Sequence, residues 1–102
     1  MTVFKRISPQ DTKALIDTGD VTLVDIRDKI SFNNGHIQGA SHLDNSTVEA
    51  FIEATDSDKP LIVYCYHGNN SLSAAQFFSE KEFRDVYSMD GGFEMWRTLY
   101  PS

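Results

Sequence analysis

The sequence predicts a three-layer α/β fold: a five-stranded, mainly parallel sheet flanked by helices on both faces. Three observations predict it. Apolar, β-branched stretches alternate with stretches of helical period along the whole chain, with no repeat, low-complexity tract or linker between them. The clearest apolar stretches are short and continuous, as strands covered on both faces are. The 102 residues, 40% hydrophobic and 24% charged, suit one ordered domain over 1–102, and seven Phe, four Tyr and one Trp supply the area for its core.

The elements follow in order. Val3 to Ile7 reads as a first strand. Ser8-Pro9-Gln10-Asp11 supplies an N-cap, a proline at the first helical position and an acid three residues after the cap; the helix turns Leu15 and Ile16 inward and stops near Gly19. Val21 to Ile26 is a second, nearly all-apolar strand. Arg27 to Gly39 is poorly periodic, with a helical turn around Ile30 and Phe32, and Ala40 to Leu43 is a brief strand. Ser46-Thr47-Val48-Glu49 has the pattern of a capping box opening a helix with Val48, Phe51 and Ile52 on one face. Pro60 to Cys65 is the clearest strand, its proline confined to the first position. After Tyr66 to Asn70, a helix runs from Ser71 to Glu80; Val86 to Met89 is the last strand, Asp90-Gly91-Gly92 a turn that demands positive φ, and Phe93 to Leu99 the last helix.

Composition excludes several functions. A net charge of −6 with nine scattered basic residues argues against nucleic acid. No apolar run approaches the ~20 residues of a membrane span, and the first residues hold no apolar stretch of ~7–15 residues for a secretory signal, so the cytoplasm is the expected location. The single cysteine, Cys65, rules out an internal disulfide and a cysteine-rich metal site. A lone cysteine is by itself more often a small buried hydrophobe than a nucleophile.

Position changes that reading. In open parallel sheets ligands bind beyond the carboxyl ends of the strands, which here means the residues after Asp25, Cys65 and Met89. Cys65 ends the best strand and a helix begins about six residues later, after Tyr66-His67-Gly68-Asn69-Asn70. Gly68 permits a turn that a Cβ would oppose, and Asn69 and Asn70 tolerate the left-handed region. Such a loop turns several N–H groups toward one point, and with the helix dipole it forms an anion nest that favours a thiolate. Backbone dipoles would thus supply a local field that an acidic chain otherwise lacks.

The run Cys65-Tyr66-His67-Gly68-Asn69-Asn70 resembles the six-residue active-site loop of the rhodanese family. Val24-Asp25-Ile26-Arg27-Asp28, Gly35-His36-Ile37-Gln38-Gly39-Ala40 and Asp90-Gly91-Gly92-Phe93 with Trp96 look like that domain's other landmarks, in the right order over nearly the whole chain. The chain is similar to the family's small single-domain thiosulfate sulfurtransferases. The resemblance implies a rhodanese-like fold and a two-step transfer without cofactor or metal. Cys65 would take the outer sulfur of thiosulfate, releasing sulfite, and pass it from a persulfide to cyanide, a dithiol or a thioredoxin-like protein. Tyr66, His67, Gly68, Asn69 and Asn70 would bind substrate mainly through their backbone amides. Many larger rhodaneses carry a basic residue directly after the cysteine; Tyr66 stands there in this chain, so weak thiosulfate binding is expected. A monomer or weak homodimer suits the size.

Other residues read more plainly. His67 is expected to contribute chiefly its N–H, while Tyr66 either flanks the entrance or packs beside it. Asp25 and Arg27 are expected to hydrogen-bond loop backbones and fix the wall of the site. His36 and His42 fit no common zinc spacing, and Phe93 and Trp96 read as core. Two rival functions share the fold logic. A cysteine phosphatase or arsenate reductase of the C-x5-R pattern needs arginine where this chain has Ser71. A non-catalytic rhodanese-like docking module commonly lacks the cysteine that is present here.

Overall fold

The computed structural model describes residues 3–101; Met1, Thr2 and Ser102, and so the first two of the residues read above for a secretory signal, lie outside the described residues. Among the described residues the five strands are β1 (Lys5–Ile7), β2 (Thr22–Asp25), β3 (Ser41–His42), β4 (Leu61–Tyr64) and β5 (Val86–Met89). The helices are α1 (Pro9–Thr18), α2 (Lys29–Asn34), α3 (Val48–Ala54), α4 (Asn70–Glu80) and α5 (Gly92–Leu99). The sheet order is β1-β5-β4-β2-β3 and all four pairings are parallel, so the expected mainly parallel sheet is wholly so. From β2 the chain runs outward to the β3 edge, then returns to β4 and moves the other way to β5. The reversal lies between β2 and β4, and the crevice at their carboxyl ends is where this topology leaves room for a ligand.

Side-chain alternation along each strand divides the core between two faces. Leu61 and Val63 of β4 join Val24, Ala75, Phe78 and Phe83 on the face covered by α3 and α4. Ile62 and Tyr64 join Leu23, Met89 and Trp96 on the face covered by α1 and α5. The whole of β4 is sealed from solvent, and burying each of Leu61, Ile62 and Val63 contributes about 1.5–3 kcal/mol before entropy is set against it.

Most local signals act as expected. The Ser8 hydroxyl accepts from the Asp11 N–H at 3.0 Å, and Gly19, at φ 79°, ends α1 with its N–H on the Ile16 carbonyl. Three details differ. Strand β1 starts at Lys5 rather than Val3, its first pairing being Lys5 with Tyr87 of β5. The capping box at Ser46 does not form: the Asp44 carboxylate accepts from the Ser46 N–H at 2.9 Å and from its hydroxyl at 2.6 Å, so a turn anchored on Asp44 leads into α3. Helix α4 begins at Asn70, a residue before the predicted start, which brings its first N–H groups closer to Cys65.

Candidate active site

Cys65 is the first residue past β4, and alternation from Leu61 and Val63 turns its side chain toward the α4 face. Its sulfur accepts hydrogen bonds from the N–H of Gly68 at 3.2 Å and of Ser71 at 3.3 Å. The residue is only 5% exposed, yet it faces converging donors rather than an apolar wall. Burial alone pushes the thiol's pKa up. The Ser71 hydroxyl and N–H, the Gly68 N–H and the His67 N–H outweigh it and hold the pKa below the ordinary thiol value. An anionic sulfur is what the pocket favours.

Two features set the loop's orientation. Gly68 sits at φ +91°, in the left-handed region, and a Cβ there would stand 2.9 Å from the Gly91 nitrogen. On the other side the loop's carbonyls are bound to the start of α5: Phe93 N–H donates to the Cys65 carbonyl at 2.8 Å and Glu94 N–H to the Tyr66 carbonyl at 3.0 Å. Gly92 makes this approach possible, since a Cβ on it would lie 2.4 Å from the Tyr66 oxygen. With those carbonyls committed to α5, the N–H groups of the turn point inward to the sulfur. The Gly91 and Gly92 φ values of 75° and 61° agree with the turn read from the sequence.

The walls are built by the neighbouring strand ends. Asp25 and Arg27 form a buried ion pair, Nη2 to Oδ2 at 2.7 Å, and the Asp25 carboxylate also accepts the Arg27 N–H at 2.8 Å. The same guanidinium donates to the Gly35 carbonyl at 2.7 Å, tying the β2 exit to the α2–β3 connection, the loop-fixing role expected of this pair. His42 bonds the Arg27 carbonyl through Nε2, and His36 bonds the Phe32 carbonyl through Nδ1, so both histidines are engaged with backbone. Among the described residues no cluster of three His, Cys, Asp or Glu side chains stands ready for a metal ion.

Tyr66 is 39% exposed, and its hydroxyl meets the Asp28 carboxylate and the Ser31 hydroxyl at the start of α2. It therefore flanks the site as a strut. His67 is exposed, as are Asn69 and Asn70. Among the described residues Tyr66, Asn69 and Asn70 give no amide bond to the sulfur, so the direct donors are Gly68 and Ser71, reinforced by His67. Ser71 was not among the predicted loop residues. It is wholly buried, and the earlier helix start carries its amide onto the sulfur; its spacing of six from Cys65 was the available signal. Phe93 packs against the core beside Tyr64, as read, but at its edge: it is half-buried, with the Arg27 guanidinium 4.2 Å over its ring, and together with Arg27 and Tyr66 it lines an open cleft of about 190 Å³. Trp96 is buried as expected. A larger cleft of about 490 Å³, of which Cys65 is not a lining residue, lies between α3 and α4 and is lined mainly by Ile26, Leu43, Val48, Ala74 and Phe77.

The family model described as Rhodanese-like domain matches residues 8–99. A protein named thiosulfate sulfurtransferase GlpE from Stutzerimonas stutzeri (strain A1501) is 56% identical over 102 residues, covering 100% of this chain and 93% of its own. One of the same name from Pseudomonas aeruginosa (strain LESB58) is 54% identical, covering 97% of this chain and 89% of its own. The crystal structure of a rhodanese-related protein from Thermoplasma volcanium superposes with a TM-score of 0.81 at 24% identity, over 95% of this chain and 94% of that one, a likeness of fold.

Proposed function

We propose a reaction from this premise: the chain belongs to the rhodanese-like domain family. It is a thiosulfate sulfurtransferase; in this reading its one cysteine, Cys65, carries the sulfur. The Cys65 thiolate attacks the outer sulfur of thiosulfate; the S–S bond to the sulfonate group breaks and sulfite leaves with the bonding pair. Cys65 then bears a persulfide, whose terminal sulfur is anionic. Attack on that sulfur by cyanide yields thiocyanate and restores the thiolate, while a dithiol takes the sulfur in the same way. The observation that carries this reading is the pair of N–H donors, Gly68 and Ser71, converging on the one cysteine of the chain. Fixed dipoles of this kind need no reorganisation as charge moves between the two sulfurs.

The same proposal covers the rest of the cycle. The loop amides from Tyr66 to Asn70 hold the donor and the outer sulfur. The neighbouring guanidiniums are committed, Arg27 to Asp25 and Arg97 to Glu94, which supports weak binding of the thiosulfate dianion. A dithiol protein of the thioredoxin type is the acceptor, and the chain works in the cytoplasm as a monomer or weak homodimer. Among the described residues no helix is long and apolar enough to cross a membrane. The phosphatase alternative loses its footing at Ser71, whose short side chain is buried against Ser88 and offers no bidentate clamp. Mass spectrometry after incubation with thiosulfate tests the proposal: a gain of ~32 Da that disappears in Cys65→Ser is expected of a covalent sulfur carrier. Thiosulfate turnover with no adduct in the wild-type protein would overturn it.

A further inference from the structure

The cleft between α3 and α4 shares a row of residues with the reactive cysteine. The register sets Asp25 beside Tyr64 on one side and His42 on the other. The pairing carries one residue further: the Ile26 N–H donates to the Tyr64 carbonyl at 3.1 Å and the Leu43 N–H to the Asp25 carbonyl at 3.0 Å. Leu43, Ile26 and Cys65 thus follow one another across the carboxyl ends of β3, β2 and β4, at the ~4.8 Å spacing of neighbouring strands. Ile26 and Leu43 pack with the α3–α4 half of the core, the face to which Cys65 also turns. On the helix side, Ala74 follows Ser71, whose N–H holds the sulfur, by three residues or ~4.5 Å of rise, and Ala74 and Phe77 form the opposite wall. The cleft therefore begins about one strand and one helical turn from the sulfur. Its volume of about 490 Å³ falls within the ~300–1,000 Å³ usual for small-molecule sites.

We propose that this cleft binds the alkyl chain of small uncharged thiols, a class of sulfur acceptor additional to the dithiol protein, while the thiol itself reaches the Cys65 persulfide. The inference rests on the reading of Cys65 as sulfur carrier. The thiol gives its proton to solvent, and the thiolate attacks the outer sulfur of the persulfide. The S–S bond to Cys65 breaks, Cys65 keeps the bonding pair, and an alkyl persulfide leaves. Three features choose this occupant. Ile26, Leu43, Val48, Ala74 and Phe77 give the cleft an apolar lining, in which a chain of methylenes gains by leaving water. Cys65 is buried, so the acceptor has to be slender where it meets the sulfur. The rim carries Asp44, whose carboxyl the Ser46 hydroxyl and N–H hold below its ordinary pKa, and the chain bears a net charge of −6, so a carboxylate-bearing acceptor is disfavoured.

The test loads the full chain with thiosulfate, removes excess donor, and adds ethanethiol, 1-butanethiol or 1-hexanethiol. Loss of the ~32 Da adduct, followed by mass, gives a second-order rate constant for each thiol. Simple alkyl thiols ionise alike, so the thiolate fraction is common to the series. Partial burial in an open cleft should raise the constant about twofold per methylene, and about tenfold or more from ethanethiol to hexanethiol. 6-Mercaptohexanoate, with as many carbons but a carboxylate end, should react about threefold or more slowly than hexanethiol. Ala74→Leu fills the cleft and Phe77→Ser removes a wall at an exposed position. Each should bring the hexanethiol-to-ethanethiol ratio toward one, and Phe77→Ser carries the test if Ala74→Leu does not fold. The pH profile of Cys65 alkylation by iodoacetamide should not move in either, since neither residue donates to the sulfur. A ratio near one in the wild type, or the same ratio in wild type and both variants, overturns the inference. So does a flattened ratio that comes with a shifted alkylation profile. An adduct that cyanide discharges but that shows no chain-length effect overturns this inference alone; failure to form the adduct overturns the carrier reading and the inference with it.

Discussion

Substituting Gly92 by alanine tests how the sulfur nest is held open. The new Cβ would stand 2.4 Å from the Tyr66 carbonyl oxygen and 2.6 Å from that of Cys65, both backbone atoms that cannot swing aside. The residue sits at φ +61°, where a Cβ costs about 1–2 kcal/mol on its own. Relieving the clash means pulling the loop from α5, which gives up the Phe93-to-Cys65 and Glu94-to-Tyr66 hydrogen bonds at roughly 0.5–1.5 kcal/mol each. A destabilisation of about 2–5 kcal/mol follows from these contributions together. The chemical consequence is larger than the stability loss suggests. A loop that moves outward withdraws the Gly68 N–H, and losing one hydrogen bond to a charged sulfur, about 1.5–3 kcal/mol, lowers the thiolate-to-thiol ratio about tenfold or more at a given pH. Gly19→Ala is the control: φ is +79° but nothing lies within 4 Å of the added Cβ, so only the conformational cost applies. Urea denaturation together with sulfur-transfer rates should show both variants weakened and Gly92→Ala alone impaired in transfer. Normal transfer by a folded Gly92→Ala protein would refute the proposed dependence of the nest on α5.

Three further outcomes follow from the same structure. Asp25→Ala leaves the Arg27 guanidinium, with 3% of its side chain exposed, without its counter-charge, and should cost about 3–5 kcal/mol in denaturant titrations. Phe78→Ala opens a cavity where Phe78 meets Phe51 and Phe83 edge to face or nearly so, and should also cost about 3–5 kcal/mol, without a shift in the pH profile of alkylation. The depressed Cys65 pKa contributes stability that is fully present above the unfolded-state value of about 8.5 and is lost as pH falls through the lower folded-state value. The stability difference between wild type and Cys65→Ala should therefore move in favour of wild type as pH rises through that window, as read by unfolding at several pH values.

What the sequence revealed was local in origin. Continuous apolar runs such as Leu61 to Tyr64, and the Ser8-Pro9 start of α1, report their own conformation through period and capping chemistry, and the structure agrees with them. The position of Cys65 at a strand end was legible for the same reason, whereas Asp25 and Arg27 read only as wall-fixing residues and their ion pair with each other was not foreseen. Features set by distant partners were hidden. Ser71 becomes a donor because α4 starts early and packs on β5, where Ser88 waits 17 residues along the chain. Phe93 has the spacing of a core residue and packs on the core, but its contact with the Arg27 guanidinium and its place in a cleft wall depend on a residue far away in sequence. Ser46 to Glu49 has the letters of a capping box, but Asp44 competes for the same hydroxyl and N–H and wins through a tighter turn. Gly92 read as a turn residue; that it faces the Cys65 and Tyr66 carbonyls depends on how β4 and β5 lie side by side.

The claim beneath all of this is that backbone N–H groups, rather than basic side chains, keep the Cys65 sulfur negative. Titration of the wild-type thiolate by its ultraviolet absorbance, with Cys65→Ser as the blank, measures that directly. A midpoint clearly below the ordinary thiol value of about 8.5, little moved by salt because the donors are fixed and buried, is the predicted result. A midpoint at or above that value would mean burial outweighs the donors, contradicting the account at its centre.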